Sequence, residues 1–551
     1  MRARTRASLF AGMSATALLA AACSGGGGGS NTATGGGDTG GADGGRTGGS
    51  ITVRGCNPEN PLIPANTNES CGGNVMDLTV ARLIKYDPDT AKPQYDIAES
   101  IETEDNQNFT VKIKRDYKFS DGTVITAKHF VDAWNYSVAN ALQNEYFFAP
   151  IEGYADVVPP SDSKAKAKAT AMSGLKVVDD TTFTIKTAEK VSNLEVRLGY
   201  YVFAPLPDSF YKDPKAFGDK PVGAGPYMVT AWTKNQEIKL TRNPAYSGAF
   251  AGKVDDITFR IFQNTDAAYN EVVANNLDAT DEIPTSAMIG DKYKQDLAGR
   301  SGERETGGIQ TLTFPPVATD PTYKEPKLRQ AISMAIDRGL ITQQIFNGGR
   351  TPADGWVAPV VDGAKAGQCG EYCTYDPEKA KQFLQEAGGV PGNRLSIAYN
   401  ADAAHKDWVE ATCNSIKNAL GVDCVAQPVT DFATLRAQVN ARTQKGMFRS
   451  GWIMDYPSIE NFLTPLYATG ASANDGLYSN PAFDAKLQEA AAADSLEKAN
   501  TLYQEAEAML KDGMPAIPLW YYKINYGWSD RIENVKGTAQ NTIDYANVTV
   551  K

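Results

Sequence analysis

Seven cysteines and two histidines limit the nucleophilic, acid–base or metal chemistry open to this chain. With only His129 and His405, most sites built from several imidazoles are excluded, and a Ser/His/Asp relay would have one of only two bases. His129 falls on the polar side of a helix and reads as a surface histidine. No G-x-S-x-G turn, H-E-x-x-H, G-x-x-x-x-G-K-[ST] or helix-opening G-x-G-x-x-G occurs. No catalytic residue, metal site or cofactor is expected, and the chain does not read as an enzyme. Setting Cys23 aside, the cysteines form three local pairs: Cys56 with Cys71, Cys369 with Cys373, and Cys413 with Cys424. Nearest-neighbour disulfides are the simplest reading, with a zinc site from Cys369-x-x-x-Cys373 and distant thiols as the alternative.

The first fifty residues choose between these. Arg2, Arg4 and Arg6 precede an uncharged stretch from Ala7 to Ala22, too short to cross a hydrocarbon core of about 30 Å. Residues 1–22 read as a secretory signal peptide. Cys23 follows three alanines and resembles the lipobox of bacterial lipoproteins, where the thiol is acylated and becomes the new N-terminus. From Ser24 to Ser50 the chain holds 14 glycines in 27 residues and no large apolar side chain, so residues 23–50 read as an acylated cysteine on a flexible tether. The remainder is expected to be a globular body at the outer face of the cell membrane, where oxidising conditions favour disulfides. Its net charge of -11, from 54 basic and 65 acidic side chains, argues against nucleic acid as a partner.

The elements follow from periodicity. Phe109, Val111 and Ile113 alternate with polar residues as a half-buried strand, and Val177 to Ile185 reads as strand, polar turn, strand. Thr126 caps a helix whose apolar face is Ala127, Phe130, Val131, Trp134 and Val138. Pro326 opens another helix; Asp376 and Pro377 open one that stops at Gly388. Leu395, Ile397 and Tyr399 form a strand, followed by a helix from about Asp407 to Leu420 that ends at Gly421. Asp494 and Glu497 suggest a capping box for a helix running to about Lys511. Helix and strand alternating over 326–430 predict an α/β lobe with a partly parallel sheet.

Several segments, in this order, resemble one known family. They are Ala98-Glu99-Ser100, Phe119-Ser120-Asp121-Gly122-Thr123 with Thr126-Ala127, and Gly223-Ala224-Gly225-Pro226-Tyr227 with Arg242-Asn243-Pro244-Ala245-Tyr246. Further on come Leu328-Arg329-Gln330-Ala331-Ile332 with Ala335-Ile336-Asp337-Arg338, and Gly451-Trp452-Ile453-Met454-Asp455-Tyr456. The chain is similar across nearly all of 51–551 to the extracytoplasmic solute-binding family 5 of ABC importers, and its wording looks closest to actinobacterial oligopeptide-binding lipoproteins. Lys128-His129 and Leu277-Asp278 depart from the family's usual pattern.

The resemblance implies a two-lobed, periplasmic-binding-protein-like α/β fold of type II. Lobe one would be 51–85, 171–300 and 518–551, with an inserted domain at 86–170, and lobe two would be 301–517. Two chain crossings near 300 and 517 would make a hinge that closes on ligand. The implied function is a monomeric receptor that binds oligopeptides between the lobes and delivers them to an ABC transporter permease. A non-peptide solute such as a modified peptide, glycan or metal chelate, or an extracellular hydrolase, are the alternative readings. A peptide would add as a strand between Gly451, Trp452 and Ile453 on one side and Asn68, Glu69 and Ser70 on the other. Asp455 would meet the ammonium; its place after the apolar Trp452-Ile453-Met454 fits, since a buried carboxylate needs a partner. Arg449 and His405 would take the carboxylate, and Tyr146, Trp452, Tyr521 and Tyr522 would wall side-chain pockets. A basic residue used by some relatives is missing from Thr342-Gln343-Gln344-Ile345-Phe346.

Overall fold

The computed structural model describes residues 47–551 except 68, 161–165, 402, 431 and 472. The signal segment, Cys23, the tether up to residue 46 and Asn68 lie outside the described residues. Where the sequence alternates, strands form: Asn108–Ile113, Leu175–Asp179, Thr182–Lys186 and Arg394–Asn400. Helices begin and end at their caps. Asp376 accepts the Lys379 N–H to start Pro377–Glu386, and Gly421, at a φ of 69° that suits glycine, closes Lys406–Leu420. Two local readings shift. The helix expected from an Asp494 cap starts at Leu496 instead, with Ser495 as the cap. His129 is buried rather than on the surface: its Nδ1 accepts the Thr126 N–H at 2.9 Å, so the imidazole does the work usually given to a Glu at the third helical position.

Among the described residues the largest sheet has 11 strands. From one edge it runs Asp423–Val429, Arg394–Asn400, Met447–Ile453, Ser301–Thr313, Ala516–Trp528, Ala279–Thr280, Ser50–Gly55, Asp256–Ile261, Glu237–Arg242 and Tyr227–Thr233, with Arg350–Pro352 laid on Ala516–Trp528. The stretch expected to hold a partly parallel sheet does so, since Arg394–Asn400 pairs in parallel with both neighbours. A second sheet of four antiparallel strands is built from Ala98–Thr103, Asn108–Ile113, Thr182–Lys186 and Leu175–Asp179.

Two strands of 13 residues carry the large sheet from one half of the body to the other. Ser301 to Glu305 pairs with Lys523 to Gly527, and Ile309 to Thr313 pairs with Ala516 to Tyr521, with a register break between Glu305 and Ile309. The break holds Gly307 and Gly308. A Cβ on Gly308 would sit 2.6 Å from the Tyr522 ring, and one on Gly307 2.3 Å from the Met454 sulfur. Separate apolar cores lie on either side: one around Phe130, Trp134, Phe183 and Phe203, another around Trp356, Trp408, Tyr503 and Trp520. Tyr456 belongs to the first, although Met454, two residues before it, belongs to the second. The sulfurs of Cys56 and Cys71, Cys369 and Cys373, and Cys413 and Cys424 are joined in disulfides. No helix among the described residues is long and apolar enough to cross a membrane.

Candidate functional site

The strand Met447–Ile453 is paired along one side with Ser301–Thr313, from Phe448 to Ile453. On its other side only Met447 and Phe448 meet Arg394–Asn400. From Gly451 to Ile453 that second edge has no strand partner among the described residues, leaving main-chain donors and acceptors open to an incoming strand. Gly451 keeps this edge close to its neighbour, since a Cβ there would lie 2.8 Å from the Ile309 carbonyl oxygen.

The chain leaves the strand through Met454, whose N–H donates to Gly307 O at 2.8 Å, and reaches Asp455. Asn461, 1% exposed, holds the aspartate from both ends. Its Oδ1 accepts the Asp455 N–H at 2.9 Å and the Trp452 Nε1–H at 3.0 Å, while its Nδ2 donates to Asp455 Oδ2 at 3.0 Å. The half-buried carboxyl opens onto a cavity of about 170 Å³, together with Glu69, Ser70, Tyr86, Tyr200, Tyr201 and Ile453. Burial pushes Asp455 up to about 6, against hydrogen bonds from Asn461 and Tyr200 that lower it, and Glu460 raises it further. The phenols of Tyr86, Tyr146, Tyr200 and Tyr201 are all raised, first by burial and partly by the charge of Asp455. A carboxylate among phenols is a site for a cation, since both the charge and the ring faces attract one.

Glu69 caps the helix Ser70–Thr79, both its oxygens accepting the Gly72 N–H at 3.0 and 3.1 Å. The Cys56–Cys71 disulfide fixes the start of that helix at the cavity wall.

The other predicted pole lies at the start of the same strand. Arg449 Nε donates to Asn400 Oδ1 at 2.7 Å and its guanidinium stands 5.0 Å from the Phe432 ring centre. His405 Nδ1 accepts the Trp408 Nε1–H at 3.1 Å, which assigns the remaining proton to Nε2. Burial, with Arg449 and Arg350 adding to it, drives His405 down to about 3. It therefore offers a hydrogen-bond donor and not the charge expected of it. Gly451 and Trp452 face a second cavity, about 460 Å³, with Thr311, Arg329, Tyr467 and Tyr478. Tyr521 lies elsewhere: 3% exposed, with its hydroxyl on Asp354 and Gly355, it packs in the core, and strand alternation turns Tyr522 toward Gly451 instead. Among the described residues no cluster of three or more His, Cys, Asp or Glu side chains could hold a metal.

A family model for "Bacterial extracellular solute-binding proteins, family 5 Middle" matches residues 92–474. The chain belongs to this family. The periplasmic oligopeptide-binding protein OppA of Escherichia coli (strain K12) is 26% identical over 447 residues, 78% of this chain and 79% of that protein. In fold, the Escherichia coli murein tripeptide binding protein MppA matches with a TM-score of 0.78 at 21% identity, over 92% of this chain and 98% of that one. Haemophilus influenzae OppA in complex with RPPGFSPFR matches at 0.76 and 24% identity, over 91% and 98%. The body thus has the two-lobed α/β fold of the family-5 binding proteins.

In this family-5 chain a residue that sequence reasoning passed over stands beside Arg449 and His405. Arg350 lies 5.1 Å from the Tyr522 ring centre and 5.5 Å from that of Phe346, with Nη1 donating to the Gly349 and Lys523 carbonyls. It makes no ion pair among the described residues, and burial lowers it. Both Arg350 and Arg449 act on Tyr522. Only the turn at Gly348 and Gly349, which folds Arg350–Pro352 onto Ala516–Trp528, brings it there. The stretch expected to lack a base, ending at Phe346, therefore has one four residues later.

Proposed function

We propose that this chain is an extracytoplasmic receptor, anchored by lipid at Cys23, that takes up oligopeptides between its two lobes and delivers them to an ABC transporter permease without converting them chemically. It works as a monomer on this reading. The lobes divide as the sequence suggests, at about 300 and 517, with 86–170 as the inserted domain. The observation that carries the reading is the placement of Asp455 in a phenol-lined cavity, two residues past a strand whose edge is open. An extended peptide laid along Gly451 to Ile453 satisfies its main chain there irrespective of sequence. Its ammonium meets Asp455, and Glu69 and Ser70 face it across the cavity. Arg449, Arg350 and the neutral donor of His405 receive the carboxylate end, while Trp452, Tyr146 and Tyr522 contact side chains.

Calorimetry with short peptides tests this. Asp455→Ala should weaken binding by about 2–5 kcal/mol, part of it from leaving the ammonium buried and unpaired. N-acetylated peptides should bind the unaltered protein poorly. An Asp455→Ala protein with unchanged affinity removes the assignment. Peptide turnover would point instead to an enzyme.

A further inference from the structure

The cavity that receives Asp455 continues past it. Its far wall is a C-terminal turn in which Gly537 bridges to Ile543 and the Thr538 N–H donates to Thr542 O at 2.7 Å. The hydroxyls of Thr538 and Thr542, 7% and 8% exposed, lie on this wall and find no hydrogen-bond partner among the described residues. Buried polar atoms are nearly always satisfied, so a pair left over on one cavity wall points to a polar group brought by the ligand.

Charge balance gives that group its sign. Glu69, Asp77, Asp455 and Asp544 line the cavity against two cations, Arg82 and Lys85. Arg82 Nη2 is bound to Asp77 Oδ1 at 2.6 Å. Lys85 acts electrostatically on both Asp77 and Asp544. A peptide ammonium answers Asp455, which leaves Glu69 with backbone N–H partners but no ion pair among the described residues. Burial holds Glu69 and Asp544 above the usual carboxylate range, as expected where countercharge is short.

We infer that this chamber houses the side chain of the ligand's first residue and selects a cationic one, of lysine or arginine type, whose N–H donors reach Thr538, Thr542 and the surplus carboxylate. The inference rests on the reading of Asp455 as the ammonium receptor. Because the chamber and Asp455 share one cavity, the first residue is the one whose side chain is closest to it.

The test is calorimetry on the full chain with Lys-Ala-Ala, norleucine-Ala-Ala and N-acetyl-Lys-Ala-Ala. The lysine peptide should bind about tenfold tighter than its norleucine counterpart, which has the same four-carbon stem without the ammonium. Glu69→Gln, which keeps the shape of the side chain and an oxygen for the Gly72 N–H, and Thr542→Val should each narrow that ratio. Equal affinity for the two free peptides, or a ratio unmoved by both variants, overturns the inference while the receptor reading stands. If none of the three peptides binds, both fall.

Discussion

Asp455 shows how a single side chain ties affinity to pH. An ammonium is held by the carboxylate and not by the acid. Peptide affinity should therefore be level above about pH 7 and fall as pH drops through about 6, by up to about tenfold per pH unit for one proton. His405, driven down to about 3, stays neutral throughout that window and cannot produce the same slope. The stability of the ligand-free protein responds in the opposite sense. A carboxyl raised from 3.8 to about 6 keeps a proton in the folded state that the unfolded chain releases. Its contribution to stability is complete below the ordinary value and is lost as pH rises through about 6. Titrating peptide affinity across this range in the wild type and in Asp455→Asn checks the point, because the variant should lose the slope; an identical profile would place the proton elsewhere.

At the scale of elements, the site depends on glycines where two strands change register. Gly308 faces the Tyr522 ring, and Tyr522 is anchored by its hydroxyl donating to Gln310 Oε1 at 2.8 Å. Gln310 in turn donates to the Ser450 carbonyl on the neighbouring strand. A side chain at 308 has nowhere to go without moving this relay. Gly308→Ala should lower stability by about 1–3 kcal/mol, as overpacking does, and should also weaken peptide binding by displacing the ring above Gly451. Urea unfolding together with calorimetry reads both effects, and an unchanged midpoint with unchanged affinity would mean the ring yields freely. Helix caps act more locally: Asp376, Ser495 and Gly421 fix where helices start and stop, without reaching the site.

At the scale of the whole molecule, the two cores are bound together beside the site. Arg197 Nη2 pairs with Glu460 Oε1 at 3.1 Å, Tyr456 donates to Glu460 Oε2 at 2.5 Å, and Asn193 Nδ2 reaches Ser458 Oγ at 3.3 Å. Leu194 and Val196 belong to one core, whereas Phe462 and Leu463, just after Glu460, belong to the other. Glu460 is buried and Arg197 largely so, and removing the arginine leaves the carboxylate unpaired, at about 3–5 kcal/mol. Because the pair spans the two halves, Arg197→Met should weaken their association and with it peptide affinity. X-ray scattering of the ligand-free variant should show a larger radius of gyration than the wild type. If both quantities match the wild type, the pair is a local feature of one half.

Much of the fold could be read from local pattern. Alternation located Asn108–Ile113 and Arg394–Asn400, the caps bounded Pro377–Glu386 and Lys406–Leu420, and the ordered motifs around Gly223, Leu328 and Gly451 pointed to the family. These features depend on residues a few positions apart, where backbone geometry sets which face a side chain takes. What decided the site was contact across long stretches of chain. Periodicity could not say that Tyr522 and not Tyr521 faces Gly451, that Arg350 comes to Tyr522 and Phe346, that His129 is buried, or that Thr538 and Thr542 share a cavity with Glu69 and Asp455. Nor could it give Asp455 a value near 6 or His405 one near 3, since desolvation and neighbouring charge are properties of the packed interior, and the sequence alone contains no interior.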